Sequence, residues 1–236
     1  MDRIVLPEIL DELPPADPRA IGSRRDLRRI NGVMGNAGVL AAALRAAGTG
    51  PTAPARCAEL GAGDGALALA LARRLAPAWP GVAVTLVDRR PAVTAGTLAG
   101  FTQLGWTATV VAADVFAWLD QAAAETDVIV ANLFLHHFPE ADLRRLLARA
   151  AARTRLFAAC EPRRSPFALV ASGLVGLLGA NAVSRHDAVV SVRAGFTGAE
   201  LSARWPAAGW TLREGGARAF SHVFTAARAP RPGAGG

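Results

Sequence analysis

From residue 56 onward, short apolar runs alternate with amphipathic ones, and several of the apolar runs close on an acid. "RCAEL" (56–60) reads as a buried strand, and "ALALALARRLA" (66–76) follows it with helical spacing. "VAVTLVD" (82–88), "TATVVAAD" (107–114), "DVIVANL" (127–133) and "RLFAACE" (155–161) are further strands. Between them, residues 91–104, 115–123 and 139–151 carry helical patterns. The last has Pro139 in its first turn, where a missing N–H costs little. Strands that are apolar on both faces suit a parallel sheet covered by helices on both sides. The alternation therefore predicts an α/β doubly wound domain.

Outside this stretch the rhythm changes. Residues 23–46 read as one or two helices, with Ser23 and Asp26 in a capping pattern. After residue 161 comes a segment without charge between Arg164 and Arg185. Residues 197–205 read as a helix, with Thr197 at its N-cap and Glu200 three positions on, a capping box. Residues 210–228 read as a hairpin turning at Gly215-Gly216, and the tail 229–236 as disordered. The organisation expected is a helical cover over 1–54, a principal domain over 55–228 with a cover insert at about 162–205, and the tail.

Composition adds limits. The 236 residues are 52% hydrophobic, enough for one domain with a full core. The formal charge of +7 raises the question of nucleic acid. All 26 basic residues are Arg, however, Tyr is absent too, and the arginines are scattered over helical faces. That looks like coding bias, and nucleic acid is not the partner expected. Cys57 and Cys160 fall inside predicted strands and read as core residues. The N-terminus, rich in acids and prolines, does not read as a signal peptide, so a cytoplasmic bacterial protein is expected. The uncharged run is borderline in length for a membrane span of roughly 20 residues. Pro166, Ser172 and Asn181 interrupt it. A buried or substrate-covering helix is the reading taken for 166–183, with a helix lying on a membrane surface as the alternative.

The chemistry centres on "AELGAGDG" (58–65). In an open α/β sheet, ligands sit beyond the carboxyl ends of the strands. Glu59, Asp88 and Asp114 all end strands there. Gly61, Gly63 and Gly65 let a loop turn tightly and let a ligand touch backbone. The spacing is G-x-G-x-G, not the G-x-G-x-x-G of dinucleotide sites. No Lys is present for a P-loop, and Glu59 would repel a pyrophosphate. A ligand with an ammonium group, a ribose and an adenine suits three acids better.

"AELGAGDG", "LVDRR", "AADVF" and "VIVANLFLHHF" together resemble the successive motifs of class I S-adenosylmethionine-dependent methyltransferases, over about residues 55–161. The resemblance implies a seven-stranded, mostly parallel Rossmann-like sheet with a C-terminal antiparallel hairpin. It implies S-adenosyl-L-methionine as cofactor and S-adenosyl-L-homocysteine as product. By position it places Glu59 on the methionine amino group and Gly61, Ala62, Gly63 and Gly65 under the methionine. Asp88 would meet the ribose hydroxyls, with Arg89 beside the adenine. Asp114 would bind the exocyclic amine, the Val115 N–H a ring nitrogen, and Asn132 and Leu133 would lie alongside the sulfonium.

Methyl transfer to a weak nucleophile calls for a base. His136 and His137 follow strand four at the catalytic edge, Glu161 could orient one of them, and His186 in the insert is a further candidate. Phe134, Phe138, Phe167, Met34 and Phe196 are candidates for a greasy acceptor pocket. The expected activity is methylation of a small hydrophobic or aromatic acceptor, O-directed on a phenolic, polyketide-like or quinone-like compound of secondary metabolism, without a metal. Carbon methylation of a quinone ring, an RNA or protein methylase, and a non-catalytic cofactor-binding protein are the alternatives. The oligomeric state is left open.

Overall fold

A computed structural model describes residues 1–14, 16–48, 53–121 and 125–229. The predicted tail beyond 229, and the end of the helix predicted over 115–123, lie outside the described residues. The sheet has seven strands in the order β3-β2-β1-β4-β5-β7-β6. These are β1 (Arg56–Leu60), β2 (Ala83–Asp88), β3 (Thr107–Ala112), β4 (Thr126–Asn132), β5 (Thr154–Pro162), β6 (Trp210–Ala217) and β7 (Ser221–Arg228). The first five pair in parallel. β7 joins β5 antiparallel and β6 closes the edge as a hairpin. The chain runs outward from β1 to β3, then returns to β4 on the other side of β1. That reversal makes the β1/β4 boundary the point where a crevice opens above the sheet.

The strands look apolar throughout because each face packs on its own helical layer. Cys57, Val128 and Val130 point to a core shared with Leu40, Leu44, Leu69, Leu75 and Phe101. Their neighbours Ala58, Leu60, Ile129 and Ala131 point to the opposite core, with Leu119, Leu143, Leu146 and Leu147. The helices that supply these residues include α3 (Asn36–Ala47), α4 (Ala66–Leu75), α5 (Ala95–Gln103), α6 (Val115–Asp120) and α7 (Glu140–Arg153). Both cysteines are free and buried, and burial pushes each thiol up to about 12.

Two further parts lie over the carboxyl edge. One is N-terminal: α1 (Ile9–Glu12) and α2 (Pro18–Met34), with Gly35 in the left-handed region separating α2 from α3. The other is the insert: α8 (Pro166–Gly173), a 3-10 turn, and α9 (Ala182–Ala194). Leu13, Ala20 and Val183 form a small core between them. No helix among the described residues is long and apolar enough to cross a membrane.

Three local expectations are corrected. Ser23 and Asp26 cap nothing; they sit inside α2, which begins at Pro18, and are buried against α9, where Ser184 Oγ donates to both. Residues 202–204 form only a 3-10 turn in place of the helix predicted over 197–205. Glu200 does accept from Thr197 N–H as a capping box would, but it is also drawn onto the buried Arg164 guanidinium. The hairpin turns at 218–220, not at Gly215-Gly216, which lie within β6. The Arg163 guanidinium lies over Gly216, 2.9 Å from where a Cβ would stand.

Candidate active site

The glycine loop is built by local necessity. Gly61, Gly63 and Gly65 all have positive φ, a region L side chains rarely adopt. Gly61 has a second reason: a Cβ on it would lie 2.2 Å from Cδ2 of Phe134. Gly63 faces open space and lines the cavity described below. Gly65 differs from the expectation: it starts α4 and packs toward Leu86, and is not part of the cavity wall. A Gly61→Ala substitution should cost about 2–4 kcal/mol, from overpacking against the Phe134 ring plus a left-handed backbone. Denaturant unfolding of the purified variant checks this, and a loss within error of zero would refute it.

The three acids stand at adjacent strand tips. Glu59 is only 2% exposed. Its carboxylate accepts from Ala68 N–H at 3.2 Å. Burial pushes its pKa up to about 8, the Ala68 N–H pulls the other way, and Asp64 and Asp88 add to the rise. This is a buried acid short of partners, and a cation would suit it. Asp88 is oriented by Gly63 N–H at 2.8 Å and Arg90 N–H at 2.7 Å, one on each oxygen. Each oxygen keeps a lone pair for a further donor. Asp114 caps α6, its Oδ1 accepting from Phe116 and Ala117 N–H. Its Oδ2 is left over, and the Val115 N–H is one of the first amides of α6, which have no partner within a helix.

Leu133 occupies the left-handed region, φ 49°, at the end of β4. Only structure around it holds a leucine there. Its N–H donates to Cys160 O, and the chain then turns so that the Phe134 and Leu135 N–H groups reach Glu161 at 3.1 and 2.9 Å. Asn132 beside it is fixed by Asn36, which is in turn held by Ser221. Asn36 opens α3 and carries no motif that would have marked it.

The histidines separate sharply. His136 is buried with both ring nitrogens engaged, Nδ1 with Glu161 at 2.8 Å and Nε2 with Glu8 at 3.2 Å. Burial opposes its charge, but the two carboxylates win and raise it to about 9. Burial likewise pushes Glu8 up, and the His136 hydrogen bond and charge outweigh it. Glu8 also accepts from Ser191 of α9. His136 is thus an imidazolium with no free nitrogen, which corrects the expectation that it could act as the base. Glu161 does orient a histidine, but that histidine is His136. His137 stacks beside it, with ring centroids 4.2 Å apart. Its side chain is 24% exposed on the cavity, with Nδ1 3.2 Å from Asp11 of α1.

His186 is corrected as well. It is half exposed on α9 and absent from the cavity wall. The neighbouring Asp187 is occupied by the Ile9 and Leu10 N–H groups that begin α1. The fourth histidine, His222 in β7, is buried with Nε2 2.7 Å from Glu214.

These groups share one cavity of about 1340 Å³. Its wall includes Glu59, Gly61, Ala62, Gly63, Asp88, Arg89, Asp114, Val115, Asn132, Leu133, His136 and His137. Met34, Phe134 and Phe138 line it as expected, joined by Phe116 and Phe220. Phe196 is fully buried outside the wall, with the Arg3 guanidinium over its ring. Phe167 points outward and stacks on Phe220. Sequence reasoning missed Glu8 and Asp11. An acid in a proline-rich N-terminal stretch carries no periodic or motif signal.

Residues 58–155 match the family model described as a methyltransferase domain. No curated protein matches the chain by sequence. The fold is similar to that of the plantazolicin methyltransferase BpumL in complex with SAH, at 13% identity and TM-score 0.63, over 90% of this chain and 91% of that one. It is similar to the mitomycin 7-O-methyltransferase MmcR at 20% identity and TM-score 0.60, over 93% of this chain and 60% of that one. Magnesium protoporphyrin IX methyltransferase from Synechocystis PCC 6803, with bound SAH, matches at 14% identity and TM-score 0.50, over 93% of this chain and 91% of that one. At these identities the likeness is one of fold.

Proposed function

We propose that this chain, whose residues 58–155 are a methyltransferase domain, is an S-adenosylmethionine-dependent enzyme that methylates an oxygen of a small hydrophobic or aromatic acceptor, phenolic, polyketide-like or quinone-like. The observation that carries the reading is that one cavity of about 1340 Å³ is lined both by the strand-tip acids Glu59, Asp88 and Asp114 and by His137 with Phe116, Phe134 and Phe138. Pockets for one drug-sized ligand run to about 1,000 Å³. This one has room for a nucleoside cofactor and an acceptor together.

The residues present fit the cofactor. Glu59 lacks a partner that an ammonium group would supply. Asp88 and Asp114 each keep acceptor capacity for ribose hydroxyls and an adenine amine. Gly63 leaves room where a Cβ would intrude on the methionine end. When bound, S-adenosylmethionine supplies a methyl group on a sulfonium, already activated for in-line displacement.

The protein's own task is alignment and one proton. Alignment of two bound partners can contribute about 7–11 kcal/mol to lowering the barrier. The Asp11 carboxylate lies 3.2 Å from His137 Nδ1 and its charge favours a proton on that nitrogen, leaving the Nε2 lone pair to take a hydroxyl proton from the acceptor. Residues 1–47 and 166–194 cover the acceptor and keep water from the reacting oxygen.

Calorimetry with adenosylhomocysteine tests the cofactor side. Binding near pH 7 should release a proton, because Glu59, raised to about 8, ionises on meeting an ammonium. The observed enthalpy should then vary with the buffer's own ionisation enthalpy. Incubation with labelled cofactor and a panel of alkylphenols and hydroxyquinones tests the acceptor. Absence of binding heat, or label transferred solely to protein or RNA, defeats the reading.

A further inference from the structure

Helix α8 is built inside out. Its buried positions are the small residues Ala168 and Ser172. Its large apolar side chains face solvent: Phe167 is 63%, Val170 67% and Leu174, just past its end, 54% exposed. Positions i, i+3 and i+7 lie on one stripe of a helix, so the three form a continuous outer ridge. No charged residue occurs from 165 to 184 to interrupt it.

Arginines come from the segments next to the ridge. Arg163 precedes α8, its backbone N–H donating to Phe220 O and its guanidinium lying against Gly216, and Phe220 stacks on Phe167 at 5.5 Å. Arg218 stands in the same 218–220 turn, with its guanidinium against Gly35. Arg185 lies against Gly176, just beyond Leu174. Among the described residues none of the three has a carboxylate partner.

We propose that the outer ridge of α8, with Arg163, Arg185 and Arg218 around it, docks the protein on a lipid surface that carries anionic headgroups. An apolar stripe edged by cations matches the acyl–headgroup boundary, where apolar side chains sink and guanidiniums meet phosphate. Charge selects this occupant over a second copy of the chain. A two-fold pairing puts the same patch on both sides, so unpaired arginines would face unpaired arginines. The docking face and the cavity wall are opposite sides of one helix: Ala168, Ala171 and Ser172 line the cavity, and Leu174 belongs to both. On the methyl-transfer reading, hydrophobic acceptors reach the cavity from the bilayer past Leu174.

The test uses the full chain without cofactor or acceptor, so its outcome is independent of catalysis. Co-sedimentation is measured with vesicles of phosphatidylcholine alone and with added phosphatidylglycerol. Binding to the anionic vesicles is expected, declining with salt and absent on the neutral ones. Phe167→Ser with Val170→Ser should weaken it at least about tenfold, and so should Arg185→Ser with Arg218→Ser. All four positions are at the surface, and melting curves confirm that the variants fold. The proposal is overturned by equal partition to both vesicle types, by no partition at all, or by a concentration-dependent dimer in sedimentation velocity that the Phe167/Val170 variant dissolves.

Discussion

His137→Ala is expected to lower kcat by about 10²–10⁴-fold on a phenolic acceptor, with the affinity for adenosylhomocysteine unchanged. The side chain lines the cavity beside Asp11, and no ion pair joins it to the three acids at the strand tips. The deficit should shrink as pH approaches about 10, where a phenol ionises without help. Asp11→Asn should produce a smaller loss with the same recovery at high pH, because the amide no longer holds the imidazole in the useful tautomer. A merely structural role would give a loss that does not change with pH. Steady-state rates across pH for the wild type and both variants decide it, and an unaltered kcat in His137→Ala would end the base assignment.

His136→Ala carries the largest expected effect on stability. It removes the cation from between Glu161 and Glu8 and leaves two buried carboxylates facing each other. Breaking a buried ion pair costs about 3–5 kcal/mol, which for a domain of this size lowers Tm by about 10 °C. The pH dependence follows from the same geometry. The folded pKa of His136 is raised from 6.5 to about 9. Its contribution is therefore full below about pH 6.5 and is lost as pH rises through about 9. Glu8 has the opposite sign: lowered from 4.5 to about 2, it contributes fully above about 4.5 and loses that as pH falls through about 2. Glu59 adds a second alkaline slope. Burial raises it to about 8, so the folded state resists its ionisation and stability falls between about pH 4.5 and 8. Glu59→Gln should remove that slope and leave the one above it. Thermal melts from pH 2 to 10, with limited proteolysis to follow release of residues 1–13, measure these effects. A melting profile flat to pH 10, with an unchanged Tm for His136→Ala, would contradict the buried triad.

The N-terminal segment shows why part of the site stayed hidden from sequence reading. Besides the small apolar core of Ile9, Leu10 and Leu13 with Ala20 and Val183, residues 1–13 are tied down by long-range polar contacts. Arg3 donates to Ala194, His136 and Phe138 carbonyls, and Ile4 N–H to Arg193 O. Glu8 reaches His136, and Asp11 reaches His137. None of these contacts leaves a period or spacing in the chain. The same holds for Asp187, which besides contacting His186 receives the two backbone amides that begin α1. In the insert, apolar composition suggested a covering helix. It gave no hint that the bulky side of α8 faces out and the small side faces in. For the same reason Phe167 and Phe196 were expected in the acceptor pocket and lie elsewhere.

By contrast, the strand alternation and the glycine loop were legible because their causes are local. A buried parallel strand must be apolar on both faces, and a chain that turns at positive φ beneath a ligand must use glycine. Those constraints act within a few residues, so the linear pattern set the positions of the parallel strands along the chain and the placing of Glu59, Asp88 and Asp114 at their tips. Which histidine is locked as a cation and which keeps a free nitrogen was decided only when Glu8 and Asp11 docked beside residues about 130 positions away. Protonation depends on the charges and solvent around a group, and that surrounding does not exist until the chain has folded.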